Sequence, residues 1–395
     1  MPTSADSKKD GSSRVAFEME SLRQPLVRAS IKKRRAGVDT IPLPCERGKS
    51  RTDRCSTAET KFSRFWNLMQ KWKFLLYPAF AAILVILFQT ATTIRFEKEI
   101  ASGSIAVTKY SSINSQDDLK EISSDLKSLC FPGQEKKCKC LDPMQPGGRE
   151  GKLHWLKAVQ ENKDAASSSE HEDADVVFYG DSITEGWKGT SYGFPNGRKD
   201  NNLAVYNSLF SLEDGGKYKG LTLGISGDRS VDLLWRLQNG ELNDHLNPKV
   251  FWLLVGTNDM GNSWCSPEAT TIGILRVVEE IRARKPGITI VINAIFPRSF
   301  MKNGHVLKKH LGPPGRYSPP LWPAIQAINS QLKEYSDSHE DIEFFDSNDL
   351  FFKDDKQLKL NQHLMYDFLH PSSVGYKLWG DRIVQKLDEL FSSSR

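Results

Sequence analysis

The chain has 395 residues, and with 38% hydrophobic and 26% charged residues its composition is that of a globular protein. Its net charge of +5 is uneven: residues 1–73 carry 17 Lys and Arg against 8 Asp and Glu, and the remainder carries 37 against 41. Because the part expected to fold has no excess of positive charge, nucleic acid is excluded as the main ligand.

The N-terminal region consists of a tail and an uncharged segment. Residues 1–73 are basic and poor in aromatics, which predicts a disordered tail. Residues 74–94 carry no charge, and as a helix of about 1.5 Å rise per residue they would be long enough to cross a bilayer. Basic residues precede this segment and mixed charges follow it, so the positive-inside rule places residues 1–73 in the cytosol.

This pattern predicts a type II single-pass membrane protein anchored by residues 74–94. Residues 95–395 are then lumenal or extracellular, in the secretory pathway, the Golgi or the plasma membrane. A buried core helix and a secretory signal peptide are the alternatives. More than seventy residues precede the segment, which disfavours a signal peptide.

Residues 95–150 are predicted to form a polar stalk and a Cys-rich collar. Cys130, Cys138, Cys140 and Cys265 all follow the uncharged segment, and their even number suits disulfides. Cys138 and Cys140 are too close in sequence to bridge comfortably, so each is expected to pair elsewhere, with Cys130 and Cys265 as candidates. The pairing stays open. The spacing does not fit a zinc site, and no metal is expected.

From residue 151 to residue 395 the pattern alternates between strands and helices. Short apolar runs alternate with helix-like stretches, which predicts one α/β domain with a parallel sheet covered on both faces. The five runs are Val176–Tyr179, Leu221–Leu223, Val250–Val255, Ile288–Ile295 and Ile342–Phe345.

Chemically active side chains follow four of these strands. Ser182 follows the first strand, Gly227 the second and Asn258 the third, while Asp367 and His370 lie beyond the fifth. In such folds ligands bind beyond the carboxyl ends of the strands. We therefore expect these residues to meet at one edge of the sheet.

Together these residues supply the parts needed for acyl transfer. Ser182 is the predicted nucleophile, His370 its general base and Asp367 the partner of the imidazole. Backbone N–H groups of Ser182 and Gly227, with the Asn258 amide, are the predicted oxyanion donors. No cofactor is expected. Each part alone has a plainer interpretation, such as a turn at Gly227 or a helix cap at Asn258.

The segments that carry these residues are VVFYGDSIT, GISGD, NPKVFWLLVGTND and MYDFLHPSSVGY. In them the chain resembles the SGNH (GDSL-type) hydrolase superfamily, and within it the catalytic subunits of intracellular platelet-activating-factor acetylhydrolase. The resemblance covers about residues 152–391. It implies a flavodoxin-like three-layer sandwich with a five-stranded parallel sheet, serine esterase activity, the Ser182–His370–Asp367 triad, and an oxyanion hole of Ser182, Gly227 and Asn258.

The chain departs from that family in its predicted anchor and collar, in Ser226, and in a longer segment from Ser299 to Trp322. The acetyl-glycerophospholipid substrate is therefore not carried over. The long segment is predicted to be a lid or wall that recognises an anionic or sugar-bearing substrate, with a plain surface excursion as the alternative.

The sequence thus predicts a membrane-anchored serine carboxyl-ester hydrolase acting on short-acyl or acetyl esters of lipids or glycans. Its substrate-binding residues are unknown, and a homodimer is left open. An O-acyltransferase with the same acyl-enzyme chemistry and a catalytically silent binding module are the alternatives.

Overall fold

The computed structural model describes residues 110–197, 201–311, 317–354 and 356–393. The predicted tail, the predicted span at 74–94 and the first part of the predicted stalk lie outside these ranges. All of the described residues belong to one compact unit.

The helices of the described residues correct the predicted localisation. None of the helices found in them is both long and apolar enough to cross a membrane. The buried apolar residues of the described ranges lie instead in sheet strands of four or five residues and on the covered faces of the helices around the sheet. A single-pass membrane protein with a lumenal or extracellular catalytic domain is therefore wrong for the part of the chain that the structure describes.

A five-stranded parallel sheet forms the centre of the fold. Its strands are nearly continuous apolar runs, as expected when helices cover both faces. In space they follow the order β4-β1-β5-β6-β7, and every neighbouring pair is parallel. The predicted sheet is confirmed. The strands are β1 (Val176–Gly180), β4 (Gly220–Gly224), β5 (Val250–Leu254), β6 (Thr289–Asn293) and β7 (Ile342–Phe345), and a separate hairpin comprises β2 (Thr190–Ser191) and β3 (Phe194–Pro195).

Helices connect the strands and pack in groups. The helices are α1 (Gln116–Ser124), α2 (Leu153–Ala166), α3 (Ser182–Glu185), α4 (Asn202–Phe210), α5 (Ser230–Arg236), α6 (Thr257–Gly261), α7 (Pro267–Arg284), α8 (Trp322–Asp337) and α9 (Ser373–Ser393). Helix α7 packs against α1, α5 and α8, whereas α9 packs against α4. Helix α7 begins at Pro267 because the Ser266 side chain accepts a hydrogen bond from the Ala269 N–H, a standard N-cap.

A buried arginine ties together the strand ends that carry the site. Arg236 is fully buried and donates to the carbonyl oxygen of Gly180 at 3.1 Å and to that of Leu223, near the carboxyl ends of β1 and β4. The carboxylates of Asp228 and Glu241 balance its charge at 2.8 and 2.6 Å. Such a paired, fully bonded charge fixes geometry at the cost of its desolvation.

The segment before the α/β domain is folded onto it. Tyr110 and Leu119 are buried, and the His339 Nε2 lies 2.7 Å from the carbonyl oxygen of Ile113. In the collar, Cys130 pairs with Cys138 and Cys140 pairs with Cys265. As expected, Cys138 and Cys140 do not bridge each other, and the second disulfide joins the collar to the loop after α6.

Candidate active site

Ser182 is presented at the turn between β1 and α3. A Cβ at Gly180 would lie 2.2 Å from the Thr184 Oγ1 and 2.3 Å from the Leu254 carbonyl oxygen, so only glycine fits where the strand turns. The Asp181 carboxylate accepts a hydrogen bond of 2.9 Å from the Ile183 N–H and so starts the helix. Ser182 therefore lies at the carboxyl edge of the sheet, with 9% of its surface exposed.

Three of the predicted side chains form a hydrogen-bonded row. The Ser182 Oγ lies 2.9 Å from the His370 Nε2, and the His370 Nδ1 lies 2.7 Å from the Asp367 Oδ2. A carboxylate accepts only, so the His370 Nδ1 carries the proton and its Nε2 faces the hydroxyl as an acceptor. This tautomer is the one required to remove a proton from Ser182.

Asp367 and His370 are brought together by a tight turn, although their three-residue spacing would also fit one turn of a helix. Phe368 has a φ of +60°, which ends any helical path. The Asp367 Oδ1 accepts hydrogen bonds from the Leu369 N–H at 3.0 Å and the His370 N–H at 2.7 Å. Burial raises the pKa of Asp367, but these hydrogen bonds and the imidazole outweigh burial and lower it overall. Asp367 therefore stays ionised beside the imidazole.

Gly227 lies in a loop that is held from two sides. Its φ is +76°, a conformation that favours glycine. On one side, the Glu185 Oε2 accepts from the backbone N–H and the hydroxyl of Ser226, at 2.7 and 2.6 Å. On the other, the Arg149 Nη1 donates to the carbonyl oxygen of Ser226 at 3.1 Å and to the Asp228 Oδ1 at 2.9 Å.

Sequence reasoning missed Glu185 and Arg149. Arg149 lies in the collar, far from the loop in sequence, and its Nη2 also donates to the Tyr192 hydroxyl at 3.0 Å. Glu185 lies one helical turn after Ser182, and the pKa of its carboxyl, which burial alone would raise, is lowered by the four hydrogen bonds it accepts. Only the position of Glu185, on the same short helix as the nucleophile, was visible in the sequence.

Asn258 lies on α6 and faces the same site as Ser182. Its side chain does not cap α6. Its Nδ2 donates to the carbonyl oxygen of Asp228 at 2.9 Å and to the Asp181 Oδ2 at 3.3 Å, and its Oδ1 accepts from Asn262 at 2.7 Å. The longer contact with Asp181 is the weaker of the two donor interactions. The N–H that makes it is the one most easily redirected to a developing oxyanion.

Burial also affects the acid beside the nucleophile. Asp181 is fully buried, and desolvation raises its pKa to about 7, despite the hydrogen bond from the Ile183 N–H. The nearby carboxylates of Asp228 and Asp259 raise it further, while the Arg298 guanidinium opposes them. Negative charge is therefore disfavoured on the carboxyl that accepts from Asn258, a predicted oxyanion donor.

These residues surround a cleft of about 310 Å³. The structure brings Ser182, Gly227, Asn258 and His370, from the four predicted strand ends, together at this cleft. Asp367 lies behind His370 and does not line the cleft. No cluster of His, Cys, Asp or Glu within the described ranges could hold a metal ion. The lining residues are Ser182, Ser191, Asn196, Ser226, Gly227, Asn258, Asn262, Tyr366, Leu369 and His370.

Comparison with known proteins gives the family of the chain. The model of the GDSL-like lipase/acylhydrolase family matches residues 178–378, slightly more than half of the chain. The chain belongs to this family. The match begins in β1 and ends in α9, so it includes every residue of the cleft and excludes the collar.

Two relatives are similar to the chain over about three fifths of its length. The platelet-activating factor acetylhydrolase IB subunit alpha1 of Pongo abelii is 28% identical over 236 residues, 60% of this chain and 81% of the relative. Subunit alpha2 of Homo sapiens is 28% identical over 244 residues, 61% and 88% of the two chains. A solved structure of a GDSL-like lipase from Bacteroides thetaiotaomicron is 22% identical, with a TM-score of 0.44, and covers 60% of this chain and 98% of its own. Like its family, the chain is an ester-hydrolysing enzyme.

The described residues of the long segment from Ser299 to Trp322 do not line the cleft of this GDSL-like enzyme. None of its residues outside the undescribed stretch 312–316 lines that cleft. Instead the Ser299 N–H donates to the carbonyl oxygen of Phe368 at 3.0 Å, and Gly304 lies against the Phe368 ring. The described part of the segment supports the turn that carries His370. The substrate-recognising lid stays a prediction, since its range includes residues 312–316, which lie outside the described residues.

Proposed function

We propose that this GDSL-like enzyme hydrolyses short-acyl carboxylic esters of lipids or glycans, with Ser182 as nucleophile, His370 as general base and Asp367 as its partner. The observation that carries the proposal is the continuous row from the Ser182 Oγ through His370 to Asp367, with distances of 2.9 and 2.7 Å. Both distances lie within normal hydrogen-bond range, so the proton path is complete before substrate binds.

In the first half of the reaction, the Ser182 Oγ attacks the ester carbonyl carbon as its proton passes to the His370 Nε2. The imidazolium is stabilised by the ionised Asp367. When the tetrahedral intermediate collapses, the bond to the alcohol oxygen breaks and His370 returns the proton to that oxygen. The alcohol leaves, and the acyl group remains as an ester of Ser182.

In the second half, His370 removes a proton from water as the water oxygen attacks the acyl carbon. When this second intermediate collapses, the bond to the Ser182 Oγ breaks, His370 returns the proton to that Oγ, and the carboxylic acid leaves. The N–H groups of Ser182 and Gly227 and the Asn258 amide are the proposed oxyanion donors in both halves. A neutral Asp181 would assist, because a negative charge next to the Asn258 amide would oppose formation of the oxyanion.

The size of the cleft supports a short acyl group. Its volume of about 310 Å³ is at the small end of ligand pockets. Its apolar lining is limited to the rings and chains of Tyr366 and Leu369, which offer little surface to a long hydrocarbon chain. We therefore expect acetyl esters to react faster than decanoyl esters.

Labelling with a fluorophosphonate probe tests the nucleophile. Wild-type protein should be labelled, and Ser182→Ala and His370→Ala should not. Ser191→Ala is the matched control, since its hydroxyl lies in the same cleft but bonds to Ser226 at 3.0 Å. It should keep labelling. Labelling of Ser182→Ala would show that another residue is the nucleophile.

Hydrolysis of a panel of 4-nitrophenyl esters from acetate to decanoate then tests the acyl length. Quantifying free acid against acylated alcohol, in the presence of glycerol or a sugar, separates hydrolysis from the O-acyltransferase alternative. A catalytically silent binding module would neither be labelled nor release acid.

A further inference from the structure

A second, larger cavity of about 630 Å³ adjoins the catalytic cleft. Gly227 and Asn262 line both, so the two spaces meet at the predicted oxyanion donor. At Gly227 an added Cβ would lie 3.2 Å from the Tyr192 hydroxyl and 3.5 Å from the Arg149 guanidinium, both of which face the larger cavity. The absence of a side chain therefore leaves the connection open.

The collar forms one wall of this cavity. Lys139 stands between Cys138 and Cys140, which belong to different disulfides, and its backbone N–H donates to the carbonyl oxygen of Ser263 at 2.8 Å. The Gly147 N–H donates to the carbonyl oxygen of Val231 at 2.9 Å, just before the wall residues Gly148–Lys152. The wall is therefore fixed to the domain by a covalent bond and by backbone hydrogen bonds. It lies outside the part matched by the family model.

The charge of the cavity is positive. Two of its four cations are neutralised, Arg149 by Asp228 at 2.9 Å and Arg229 by Asp232 at 2.8 Å. The side chains of Lys139 and Lys152 make no hydrogen bond or ion pair with the described residues. Glu150 is the opposing carboxylate on this wall, and it lies against Gly148, where an added Cβ would be 2.6 Å from its Oε1.

We propose that this cavity binds an anionic group, a phosphate, sulfate or carboxylate, on the alcohol part of the ester. The proposal rests on the proposed function and names its substrate class. The catalytic cleft is large enough for a short acyl group only, so the bulkier alcohol must extend into adjoining space. Two lysines without ion pairs favour an anion there, and Arg149 and Arg229 add N–H donors around it.

Matched pairs of esters test this. One pair is glycerol 1-acetate and 1-acetylglycerol 3-phosphate, and the other is methyl 4-O-acetylxyloside and methyl 4-O-acetylglucuronide. In each pair the second ester adds only an anionic group. The wild-type enzyme should prefer the anionic ester by about tenfold or more in kcat/KM, mainly through a lower KM. The pair with the larger preference distinguishes a glycerophosphate from an acidic sugar.

In Lys139→Ala/Lys152→Ala the preference should fall by about tenfold. Lys139→Arg/Lys152→Arg should retain most of it. The control is Lys127→Ala/Lys136→Ala, which removes the same net charge from exposed lysines that do not line the cavity and should leave the preference unchanged. No preference in the wild type, or equal losses in the two alanine pairs, would overturn the proposal.

A binding measurement tests this proposal independently of the proposed function. If Ser182 is not the nucleophile, labelling with the fluorophosphonate probe already shows it. Calorimetric titration of Ser182→Ala with 1-acetylglycerol 3-phosphate and with the acetylglucuronide then measures binding of the anionic esters without their hydrolysis. Tighter binding than that of the neutral ester, lost in the Lys139→Ala/Lys152→Ala background, supports it. Absence of such binding to either anionic ester overturns it.

Discussion

Arg149 donates a hydrogen bond of 2.9 Å to the buried carboxylate of Asp228, across the loop that carries Gly227. The arginine belongs to the collar and the aspartate to the loop after β4, so a segment outside the matched family domain braces a proposed oxyanion donor. The same guanidinium also donates to the carbonyl oxygen of Ser226, which gives the loop two fixed points.

We expect Arg149→Ala to lower kcat for the neutral substrate 4-nitrophenyl acetate by about tenfold to a hundredfold, because the oxyanion donor loses its fixed position. KM should change little. Arg149→Lys should not restore kcat, since one ammonium cannot replace several N–H donors in a fixed plane. Arg382→Ala, which breaks an exposed ion pair with Asp349, is the control and should leave both constants unchanged. A change confined to KM would assign Arg149 to binding.

Gly227→Ala should reduce activity far more than stability. At a φ of +76° alanine costs about 1 kcal/mol, and its Cβ would press on Tyr192 and Arg149. Gly215→Ala is the matched control, with a φ of +83° and open space around the added Cβ. Both variants should lose a similar amount of thermal stability, and only Gly227→Ala should lose hydrolysis. Equal activities in the two variants would contradict a role for this position at the oxyanion.

Asp367→Asn should lower kcat by about 10⁴-fold, as loss of the carboxylate favours the wrong imidazole tautomer. The amide still offers an oxygen to the Leu369 and His370 N–H groups, so the turn should keep its shape. Circular dichroism and thermal midpoint check the fold, and initial rates check kcat. A loss of less than about tenfold would mean that another group orients His370.

The two disulfides should differ in their effect on stability. Cys140–Cys265 closes a loop of 125 residues and Cys130–Cys138 a loop of 8. In the chain-entropy description their removal costs about 5 and about 2.5 kcal/mol of unfolding free energy, respectively. Paired Cys→Ser variants, compared by urea denaturation, measure both values. A larger loss for the short loop would contradict the entropic account.

The buried Asp181 predicts a pH-dependent stability difference. Its pKa is raised to about 7, so the folded state binds this proton more tightly than the unfolded state does. Stability contributed through this group therefore falls as pH rises from about 4 to about 7. Asp181→Asn removes that loss, so its thermal midpoint relative to wild type should be higher at pH 8 than at pH 5. The exposed Asp337→Asn should show no such trend.

Much of the site followed from the sequence because strand ends are local features. Ser182, Gly227 and Asn258 each follow an apolar run directly, and parallel strands bring their ends together. Arg149 could not be predicted, since its contact with Asp228 joins positions 79 residues apart with no periodic pattern. The turn at Phe368 was also missed, because a three-residue spacing fits a helix and a turn equally well.

The sequence separation of 125 between Cys140 and Cys265 also determines when their disulfide can form during synthesis. At about 5–20 residues per second, the ribosome needs about 6 to 25 s to deliver Cys265 after Cys140. During that interval Cys130 and Cys138 are already present, so within the described residues the thiol of Cys140 has only its neighbours in the collar with which to react. The collar is thus joined covalently to the domain only after β1, β4 and β5 have been synthesised. An oxidant acting earlier would pair Cys140 with a cysteine other than Cys265.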